Sequence, residues 1–451
     1  DEGAGFDDTD PRNAYGPYFQ RQRVEIYHTY AKSLVERGLA YPCFCTEEEL
    51  DKVRAKQEED KVLTGYYGEY ATCRNLSYEE IEANIKAGKP YVLRLRSQGS
   101  PDKEITFVDA IKGEIKLPEN IHDIVLLKKD GIPTYHFAHA IDDHLMRTTT
   151  VVRGGEWLAS APIHYELFHL LGFKMPAYAH TAHLMKFDEE TGGKRKLSKR
   201  KDPELSLDYY RKDGYHPYTM KVYLLTLLNS NFEEWHEKFP DKDINEFPFS
   251  VEKMNQSGAL FDKDKLHNIC KNELSKLSEE ELYDFLYDWA RENEPENVEK
   301  WFGDREKMLQ ILRLYMGVGA KRRRKDLMYA KQIFELISYF FDGESAEEMD
   351  EFKLDEDMVS KILKSYLAKY DHNDDNSVWF NKLKEIADEH GFASDMKAYK
   401  ANPENFKGNV SDIAEAVRIA VTGRANTPDL WTIVHIMGEE QMTERIKKHI
   451  K

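Results

Sequence analysis

Two lysines three residues apart, Lys196 and Lys199, are the side chains of this sequence whose type and spacing best suit chemistry. They lie in the segment KLSKR, which follows the strand-like run AYAHTAHLM. Two ammonium groups held by a short polar turn can meet the negative charge that shifts across a triphosphate during its cleavage. Taken alone, such a segment is more often a solvated surface loop. Its position after a buried strand favours the phosphate interpretation.

The elements around this segment predict a parallel sheet. The near-continuous apolar strand TTVVRG is followed by a helix over residues 161–171, which ends at Gly172, and then by the second strand. Strand, helix and strand without hydrophobic alternation indicate a buried parallel unit, which is half of a doubly wound sheet. Because ligands bind such sheets at the carboxyl edge of the strands, the lysine segment is predicted to lie at a ligand site.

The region before this unit mixes helices and strands. An amphipathic helix is predicted over 18–39, a short strand over 41–45, and several strands over 91–127, with Asp130-Gly131 as a hairpin turn. Two capping boxes begin helices, Thr46 with Glu49 and Ser77 with Glu80.

After about residue 205 the strand signals nearly vanish, so 205–451 is predicted to be all-helical. Amphipathic stretches lie near 304–316, 326–341, 355–369 and 411–421. Further helix starts are predicted at Ser278, boxed with Glu281, and at Thr427 as an N-cap before Pro428.

Composition limits the class of protein. The 451 residues carry a net charge of -17 and four cysteines, too few for a disulfide framework. No apolar run approaches the roughly 20 residues that cross a bilayer, and the first residues do not read as a signal peptide, so we expect a cytoplasmic protein. Two dense basic runs, KRKLSKRK at 194–201 and KRRRK at 321–325, leave RNA binding open despite the acidic average.

A polar cluster offers a different interpretation. It contains, in order, His136, His139, Asp142, Asp143 and His144. On a helix the first two share a face with Asp143, and such a set could hold the metal ion of a hydrolase.

Several ordered motifs resemble bacterial-type glutamyl-tRNA synthetases, which are class I aminoacyl-tRNA synthetases. KLSKR is similar to the second signature of that class, usually written KMSKS. The run from Pro133 to Phe173, which contains the polar cluster, is similar to the family's core, and VTGRANTPDL to its last helical domain. Further similar segments are YGPYFQ, YPCFCT and SGALFDKDKL. The resemblance spans nearly the whole chain and is weakest over 285–405.

The resemblance implies a glutamate pocket. Tyr135 and Arg153 match positions that hold the substrate's carboxylates, a role that suits the planar, charged fork of arginine. His139 stands where the family commonly carries Asn near the substrate's polar groups. We therefore expect these three residues to bind glutamate, with a changed polar group at His139.

The resemblance also implies an ATP site. Glu156 and Trp157 match positions beside the ribose and the base, and Leu184 matches a position that contacts adenine. Lys196 and Lys199 match the lysines of the mobile phosphate loop, so they are the predicted catalytic residues.

A zinc site is a weaker implication. Cys43, Cys45 and Cys73 match three zinc ligands of some family members, whose fourth ligand is a histidine. That position is Asn75 here, and a closed structural site requires four ligands. We therefore expect no bound zinc.

The fold implied is α/β followed by all-α: a class I doubly wound, Rossmann-like parallel sheet with a mixed α/β insertion, then helical stem-contact and anticodon-binding domains. The expected boundaries are a remnant of the first catalytic half at 1–35, an acceptor-binding insertion at 36–135, the second catalytic half at 136–190, the stem-contact domain with KLSKR at 191–275, and the anticodon-binding domains at 276–451.

The activity implied is ATP- and Mg²⁺-dependent activation of L-glutamate, followed by transfer to tRNA(Glu), with tRNA(Gln) left open, by a monomer. The family's opening strand and ATP-cradling His-Ile-Gly-His-type turn are not in the sequence. We therefore expect the 451 residues expressed as written to be inactive, and the chain with its upstream segment to be active. The alternative is a non-catalytic tRNA-binding paralogue; an enzyme that glutamylates a modified tRNA base is disfavoured by the long helical C-terminus.

Overall fold

The computed structural model describes residues 15–188, 190–198, 200–256, 258–341 and 349–451. The chain divides into two units. Unit 1 comprises Asp1–Lys196 and Leu227–Leu260, and unit 2 comprises Leu197–Thr226 and Phe261–Lys451. Within the described ranges, no helix is both long and apolar enough to span a membrane.

Unit 1 contains short strands interleaved with helices. The strands are β1 (Ala40–Cys43), β2 (Val92–Leu95), β3 (Glu104–Asp109), β4 (Gly113–Pro118), β5 (Val125–Leu127), β6 (Thr150–Gly154), β7 (Ala177–Thr181), β8 (Leu184–Phe187), β9 (Lys194–Lys196) and β10 (Ala259–Leu260). The helices of its first segment are α1 (Val24–Glu36), α2 (Glu47–Glu59), α3 (Tyr78–Lys86), α4 (Tyr135–Leu145) and α5 (Ala161–Leu171).

The sheet that carries the site has the strand order β4-β3-β7-β6. β6 and β7 are parallel, with α5 between them in the chain and five residue pairs in register from Thr150↔Ala177 to Gly154↔Thr181. The predicted strand, helix and parallel strand are therefore confirmed. β3 joins β7 through the single pair Asp109↔Tyr178 and turns back as β4, so the far end of this sheet comes from the predicted insertion.

The run AYAHTAHLM is not one strand as predicted. It forms β7 and β8, which belong to different sheets, because β8 pairs with β9 and β10 in the order β10-β8-β9. Lys196 consequently ends the antiparallel strand β9, where it pairs with Met185, and does not lie on a loop. Strand propensity continues through the whole run, but it does not report the change of hydrogen-bonding partner.

The predicted hairpin at Asp130-Gly131 forms only in part. The turn is present, with the Gly131 amide donating to the Lys128 carbonyl at 2.9 Å. Its second arm ends at the isolated bridge Leu127↔Pro133, and α4 begins at Tyr135. β5 instead extends the antiparallel sheet β1-β2-β5. The first predicted helix is also shorter, since α1 begins at Val24 after a 3-10 turn over Gln20–Arg23.

Helices dominate the rest of the chain. They are α6 (Leu207–Asp213), α7 (Pro217–Leu228), α8 (Phe232–Lys238), α9 (Lys263–Leu274), α10 (Glu279–Asn293), α11 (Val298–Phe302), α12 (Arg305–Met316), α13 (Ala330–Ile337), α14 (Glu356–Lys369), α15 (Asn376–His390), α16 (Met396–Ala401), α17 (Val410–Thr422), α18 (Leu430–Met437) and α19 (Glu439–Lys447). The all-helical prediction after residue 205 holds for the described residues apart from the two-residue strand β10.

Local capping signals located several helix starts correctly. The boxes at Thr46, Ser77 and Ser278 are all present. The prediction at Thr427 was wrong, because Asp429 caps α18 by accepting from the Thr432 amide. One buried cluster extends from Leu274 to Ile446 and packs most of the helices from α10 onward.

Candidate active site

The candidate active site lies at the carboxyl ends of the parallel strands β6 and β7. Arg153, one residue before the end of β6, pairs in register with His180 on β7. Directly after β6, a 3-10 turn over Gly155–Ser160 carries Glu156 and Trp157. Side chains from strand ends and the loops that follow them converge at this edge of a parallel sheet, which is why ligands bind there.

The guanidinium of Arg153 is held by neutral acceptors. Its Nε donates to His180 Nε2 at 3.0 Å, its Nη1 donates to His164 Nδ1 at 3.1 Å, and its Nη2 donates to the Trp157 carbonyl at 3.4 Å. The ring of Tyr178 lies 4.6 Å from its Cζ atom. Among the residues that the structure describes, no carboxylate is at ion-pair distance from this guanidinium. Its charge is therefore oriented but not neutralised.

Burial keeps the surrounding histidines uncharged. The pKa of His164 is lowered to about 2, chiefly by burial and further by nearby positive charge, including that of Arg153. Burial is also the main cause that lowers the pKa of His136 and of His180. At His180 the nearby Asp109 opposes the shift without reversing it. These three rings are therefore neutral near pH 7, and the guanidinium of Arg153 is a fixed positive charge beside them.

Aromatic rings form one wall of the site. Tyr135 is 46% exposed and its ring centroid lies 4.5 Å from that of Trp157. On its other side Tyr135 stacks on His139 at 5.6 Å, with the planes 14° apart. His139 Nε2 is 2.8 Å from the Tyr178 hydroxyl, and its Nδ1 is 2.8 Å from an Asp143 oxygen. Tyr135 and His139 are thus both linked to Arg153, Tyr135 through Trp157 and His139 through Tyr178.

A second group of side chains brings Glu156 and Lys196 together. Lys196 Nζ lies 3.5 Å from Glu156 Oε1, and both contact His183, at 3.5 Å and 3.4 Å respectively. A hydrogen bond from its own backbone amide is the main cause that lowers the pKa of Glu156. At Gly154 a Cβ atom would lie 2.1 Å from Glu156 Oε2, so a larger residue at this position would force the Glu156 carboxylate to move.

The other predicted ATP-site residues are less defined. Leu184 begins β8 immediately after His183 and is half-buried. Lys199 lies outside the described residues, so its predicted role remains a prediction from sequence.

Sequence reasoning missed three residues that contact or support Arg153. His164 comes from α5, His180 from β7 and Asp109 from the end of β3. Asp109 is 71 positions from its partner His180, and local patterns do not report such a contact. The available signal was a histidine within an apolar parallel strand, because a buried polar group needs a partner.

The polar cluster of α4 does not form the metal centre of a hydrolase. Asp142 accepts from Arg23 at 2.8 Å and from Tyr27 at 2.7 Å, and His144 stacks on Phe173. Within the described part of the chain, the cysteine group discussed next is the only metal-competent cluster of histidine, cysteine and carboxylate side chains. Among the described residues these contacts give no support to the alternative of a metal hydrolase.

The cysteine cluster is the group that could hold a metal. The ligand atoms of Cys43, Cys45 and Cys73 lie within 4.8 Å of one another. The Tyr66 hydroxyl contacts the first two at 3.4 Å and 3.2 Å, so one oxygen atom, which sequence reasoning did not consider, lies beside the three sulfur atoms. Hydrogen bonds from the other two thiols lower the pKa of Cys43, which favours one thiolate. The expectation of no bound zinc, which rests on Asn75, stays a prediction.

Comparison with known proteins identifies the class. The family described as "tRNA synthetases class I (E and Q), catalytic domain" matches residues 5–268, and "Anticodon binding domain" matches residues 281–450. The structure is similar to the crystal structure of a glutamate tRNA ligase from Elizabethkingia meningosepticum in complex with its amino acid. The TM-score is 0.72 at 26% identity, covering 96% of this chain and 84% of that one. The predicted fold class, a class I synthetase sheet followed by helices, is confirmed.

Curated relatives narrow the assignment. The glutamate–tRNA ligase of Acetivibrio thermocellus is 53% identical over 450 residues, which cover 99% of this chain and 81% of the relative. That of Clostridium perfringens is 46% identical, covering 100% and 82%. The chain belongs to the glutamate–tRNA ligase family of class I aminoacyl-tRNA synthetases.

Proposed function

We propose that the site around Arg153 activates L-glutamate with ATP and passes the glutamyl group to the 3′ end of tRNA(Glu). The observation that carries this proposal is the state of Arg153. A guanidinium fixed by His164, His180 and the Trp157 carbonyl, with no carboxylate among the described residues to neutralise it, suits an acidic substrate. The planar fork of arginine can bind a carboxylate through two parallel hydrogen bonds.

Tyr135 and His139 support the same pocket. The exposed ring of Tyr135 rests against Trp157, so its hydroxyl can reach a substrate while the ring stays ordered by packing. His139, which contacts Tyr178 and Asp143, stacks against the Tyr135 ring and holds it in place. We assign glutamate binding to these two residues together with Arg153.

ATP is assigned to the side of the site that carries Glu156, Trp157, Leu184 and the lysines. A carboxylate oxygen of glutamate attacks the α-phosphorus of ATP, the bond to the pyrophosphate oxygen breaks, and glutamyl-adenylate forms. Negative charge grows on the departing pyrophosphate, where Lys196 and Lys199 would stabilise it. Mg²⁺ would accompany ATP, held mainly by phosphate oxygens, and the Glu156 carboxylate is an oxygen donor on the same side.

In the second step a 3′-terminal ribose hydroxyl of tRNA attacks the glutamyl carbonyl carbon and AMP leaves. Neither step requires much acid–base chemistry from the protein, since positioning and charge stabilisation lower the barriers. We keep the expected domain boundaries: the insertion at 36–135 would bind the acceptor end, 191–275 the stem and 276–451 the anticodon, in a monomer. The match of an anticodon-binding family to 281–450 supports the last assignment.

Amino-acid-dependent exchange of pyrophosphate into ATP tests the proposal. The native-length enzyme, with tRNA present, is expected to catalyse exchange with L-glutamate and not with L-glutamine or L-aspartate. Transfer to tRNA(Glu) and to tRNA(Gln) is measured in parallel, which determines whether both are charged. Absence of glutamate-dependent exchange while tRNA still binds would support the alternative of a non-catalytic tRNA-binding paralogue.

A further inference from the structure

We propose that Asp109 is a positioning residue for glutamate recognition, because through His180 it dictates how Arg153 is held. This inference rests on the proposed role of Arg153 in binding the substrate carboxylate. It assigns a task to a buried carboxylate that lies at the end of β3, outside the strands that carry the rest of the site.

The three side chains form a continuous chain of hydrogen bonds. Asp109 Oδ2 lies 2.6 Å from His180 Nδ1, and His180 Nε2 lies 3.0 Å from Arg153 Nε. Asp109 is 1% exposed and His180 is 0% exposed, so water does not compete at either contact. The chain joins the end of β3 to the end of β6 across β7.

Elementary hydrogen-bonding rules fix where the protons lie. Arginine Nε–H can only donate, so His180 Nε2 must be the unprotonated acceptor. Since the ring is neutral, its proton is on Nδ1, which faces the Asp109 carboxylate. An ionised carboxylate can only accept, and it therefore selects the one tautomer that can receive the hydrogen bond of Arg153.

The backbone fixes the orientation of Asp109 itself. Its Oδ1 accepts from the amides of Ile111 at 3.0 Å and Lys112 at 2.9 Å. Burial is the largest single influence on the pKa of Asp109 and raises it. The hydrogen bonds from His180 and from these two amides together outweigh burial, so the pKa is lowered. The carboxylate is thus ionised and cannot turn without losing two hydrogen bonds.

This geometry makes Asp109→Asn a specific perturbation. The amide oxygen would keep the place of Oδ1, because two backbone N–H groups require an acceptor there. The NH₂ group would then face His180 Nδ1 as a donor and favour the other tautomer, with a proton on Nε2. That proton would oppose Arg153 Nε–H and displace the guanidinium from its position. The variant would also lose the hydrogen bond that the His180 amide donates to Oδ2 at 3.1 Å.

In the native-length enzyme, Asp109→Asn is expected to raise the Michaelis constant for glutamate on the order of tenfold to a hundredfold, by analogy with the loss of a carboxylate that orients a metal-bound histidine. The Michaelis constant for ATP is expected to change little. Nitrogen-15 NMR of the imidazole should find His180 protonated on Nδ1 in the parent protein and on Nε2 in the variant. The tautomer shift shows that the substitution reaches His180, and a selective rise of the glutamate constant beside it is the result that a purely structural role would not give.

Two further variants make the test selective. His180→Gln can place its NH₂ group against Asp109 and its carbonyl oxygen against Arg153, so alone it should raise the glutamate constant far less than Asp109→Asn does. Combined with Asp109→Asn it should lose the affinity for glutamate, because the new amide at position 109 attracts the glutamine oxygen and turns its NH₂ group toward Arg153. Asp123→Asn is the matched control. Asp123 is also fully buried and accepts from the Tyr41 hydroxyl, the Ser97 amide and the Arg74 guanidinium, but no contact among the described residues joins it to Arg153. It should lower stability without raising the glutamate constant selectively.

The outcomes separate this inference from the proposed function. If Asp109→Asn leaves the glutamate constant unchanged while Arg153→Ala raises it, Asp109 has no positioning role and the proposed function stands. If Asp109→Asn weakens glutamate and ATP alike, as Asp123→Asn would through instability, the inference is also wrong. If Arg153→Ala itself leaves glutamate binding intact, the proposed function fails and the inference fails with it.

Discussion

At Arg153 the physical problem is to hold a cation in place without discharging it. A carboxylate partner would orient the guanidinium but would also compete with an acidic substrate. Here the acceptors are nitrogen atoms of His164 and His180 and a backbone carbonyl. Neutral acceptors give direction to the fork and leave its charge available, so the arrangement favours binding of an anion over internal pairing.

The neutral histidines have a consequence for stability. His164 has a pKa of about 2 in the folded chain, against roughly 6.5 when unfolded. Between these values the unfolded chain binds a proton that the folded chain does not. The free energy of unfolding is therefore unaffected above about pH 6.5 and falls as the pH drops below it, by about 1.4 kcal/mol per pH unit for this one group.

We therefore expect His164→Asn, which keeps a hydrogen-bonding group but cannot titrate, to reduce that pH dependence. Between pH 6 and 4 the slope of unfolding free energy against pH should be smaller than in the parent by about 1.4 kcal/mol per pH unit, the contribution of one proton. Amide hydrogen exchange in β6, corrected for intrinsic rates, measures the quantity within unit 1. Equal slopes in both proteins would mean that His164 is protonated in the folded state.

The site could be predicted only in part from the sequence, for a physical reason. Arg153, Tyr135 and Trp157 lie in one motif that carries a family resemblance, so each could be named. Asp109 and His180 meet only when β3 is placed beside β7, and that pairing rests on a single residue pair. Nothing local in the sequence specifies it.

At the scale of elements, sequence patterns predicted a helix start correctly where the interaction that defines it joins residues close in the chain. A capping box uses side chains three residues apart, so Thr46, Ser77 and Ser278 could be identified without knowing the fold. The division of β7 from β8 could not be foreseen, because residues 177–187 are strand-like throughout and only their partners change.

Two glycines that end helices in the left-handed conformation allow a quantitative test of how tightly the helix ends are packed. Gly214 follows α6 with φ of 77°, and a Cβ atom there would lie 2.5 Å from Ala330 Cβ and 2.7 Å from Trp289 Nε1. Gly391 follows α15 with φ of 81°, and its nearest such contact is an ordinary 3.6 Å. Both belong to unit 2, so they form a matched pair.

We expect Gly391→Ala to cost about 1–2 kcal/mol, the penalty of the left-handed conformation alone. Gly214→Ala should cost more, since overpacking adds a further 1–3 kcal/mol or so. Denaturant unfolding of both variants compares them directly. A loss at Gly214 no larger than that at Gly391 would contradict the close packing of α6 against α13 and Trp289.

At the scale of the molecule, an acidic chain must still bind a polyanion. The segment KRRRK lies in unit 2 after α12. Arg324 is paired with Asp326 and Lys325 donates to Asn272. Among the described residues no carboxylate is at ion-pair distance from the exposed Arg322 or Arg323. Glu279, whose pKa is lowered chiefly by a hydrogen bond from its own backbone amide and in part by Arg323, is itself paired with Arg313, so both guanidinium groups remain available to phosphates.

Replacing both free arginines by glutamine should therefore weaken tRNA binding and make it less sensitive to salt. If each neutralises one phosphate, the slope of log K against log salt should become shallower by about 1.4–1.8. The matched control is Lys353→Gln with Lys369→Gln, because those lysines already pair with Glu415 and Glu385. An unchanged slope in the arginine variant would show that the segment does not contact tRNA.

The proposed glutamate site is tested most directly by Arg153→Ala in the native-length enzyme. The Michaelis constants for glutamate and for ATP are measured with tRNA saturating. Arg153 is half-buried and the substrate covers it further, so its loss should cost close to the lower end of the roughly 3–5 kcal/mol of a buried charge pair, and the glutamate constant should rise on the order of a hundredfold or more. The ATP constant should stay close to that of the parent, because ATP is assigned to the side of Glu156 and Lys196. Equal increases for both substrates would mean that Arg153 supports the fold, and an unchanged glutamate constant would contradict the proposed glutamate site.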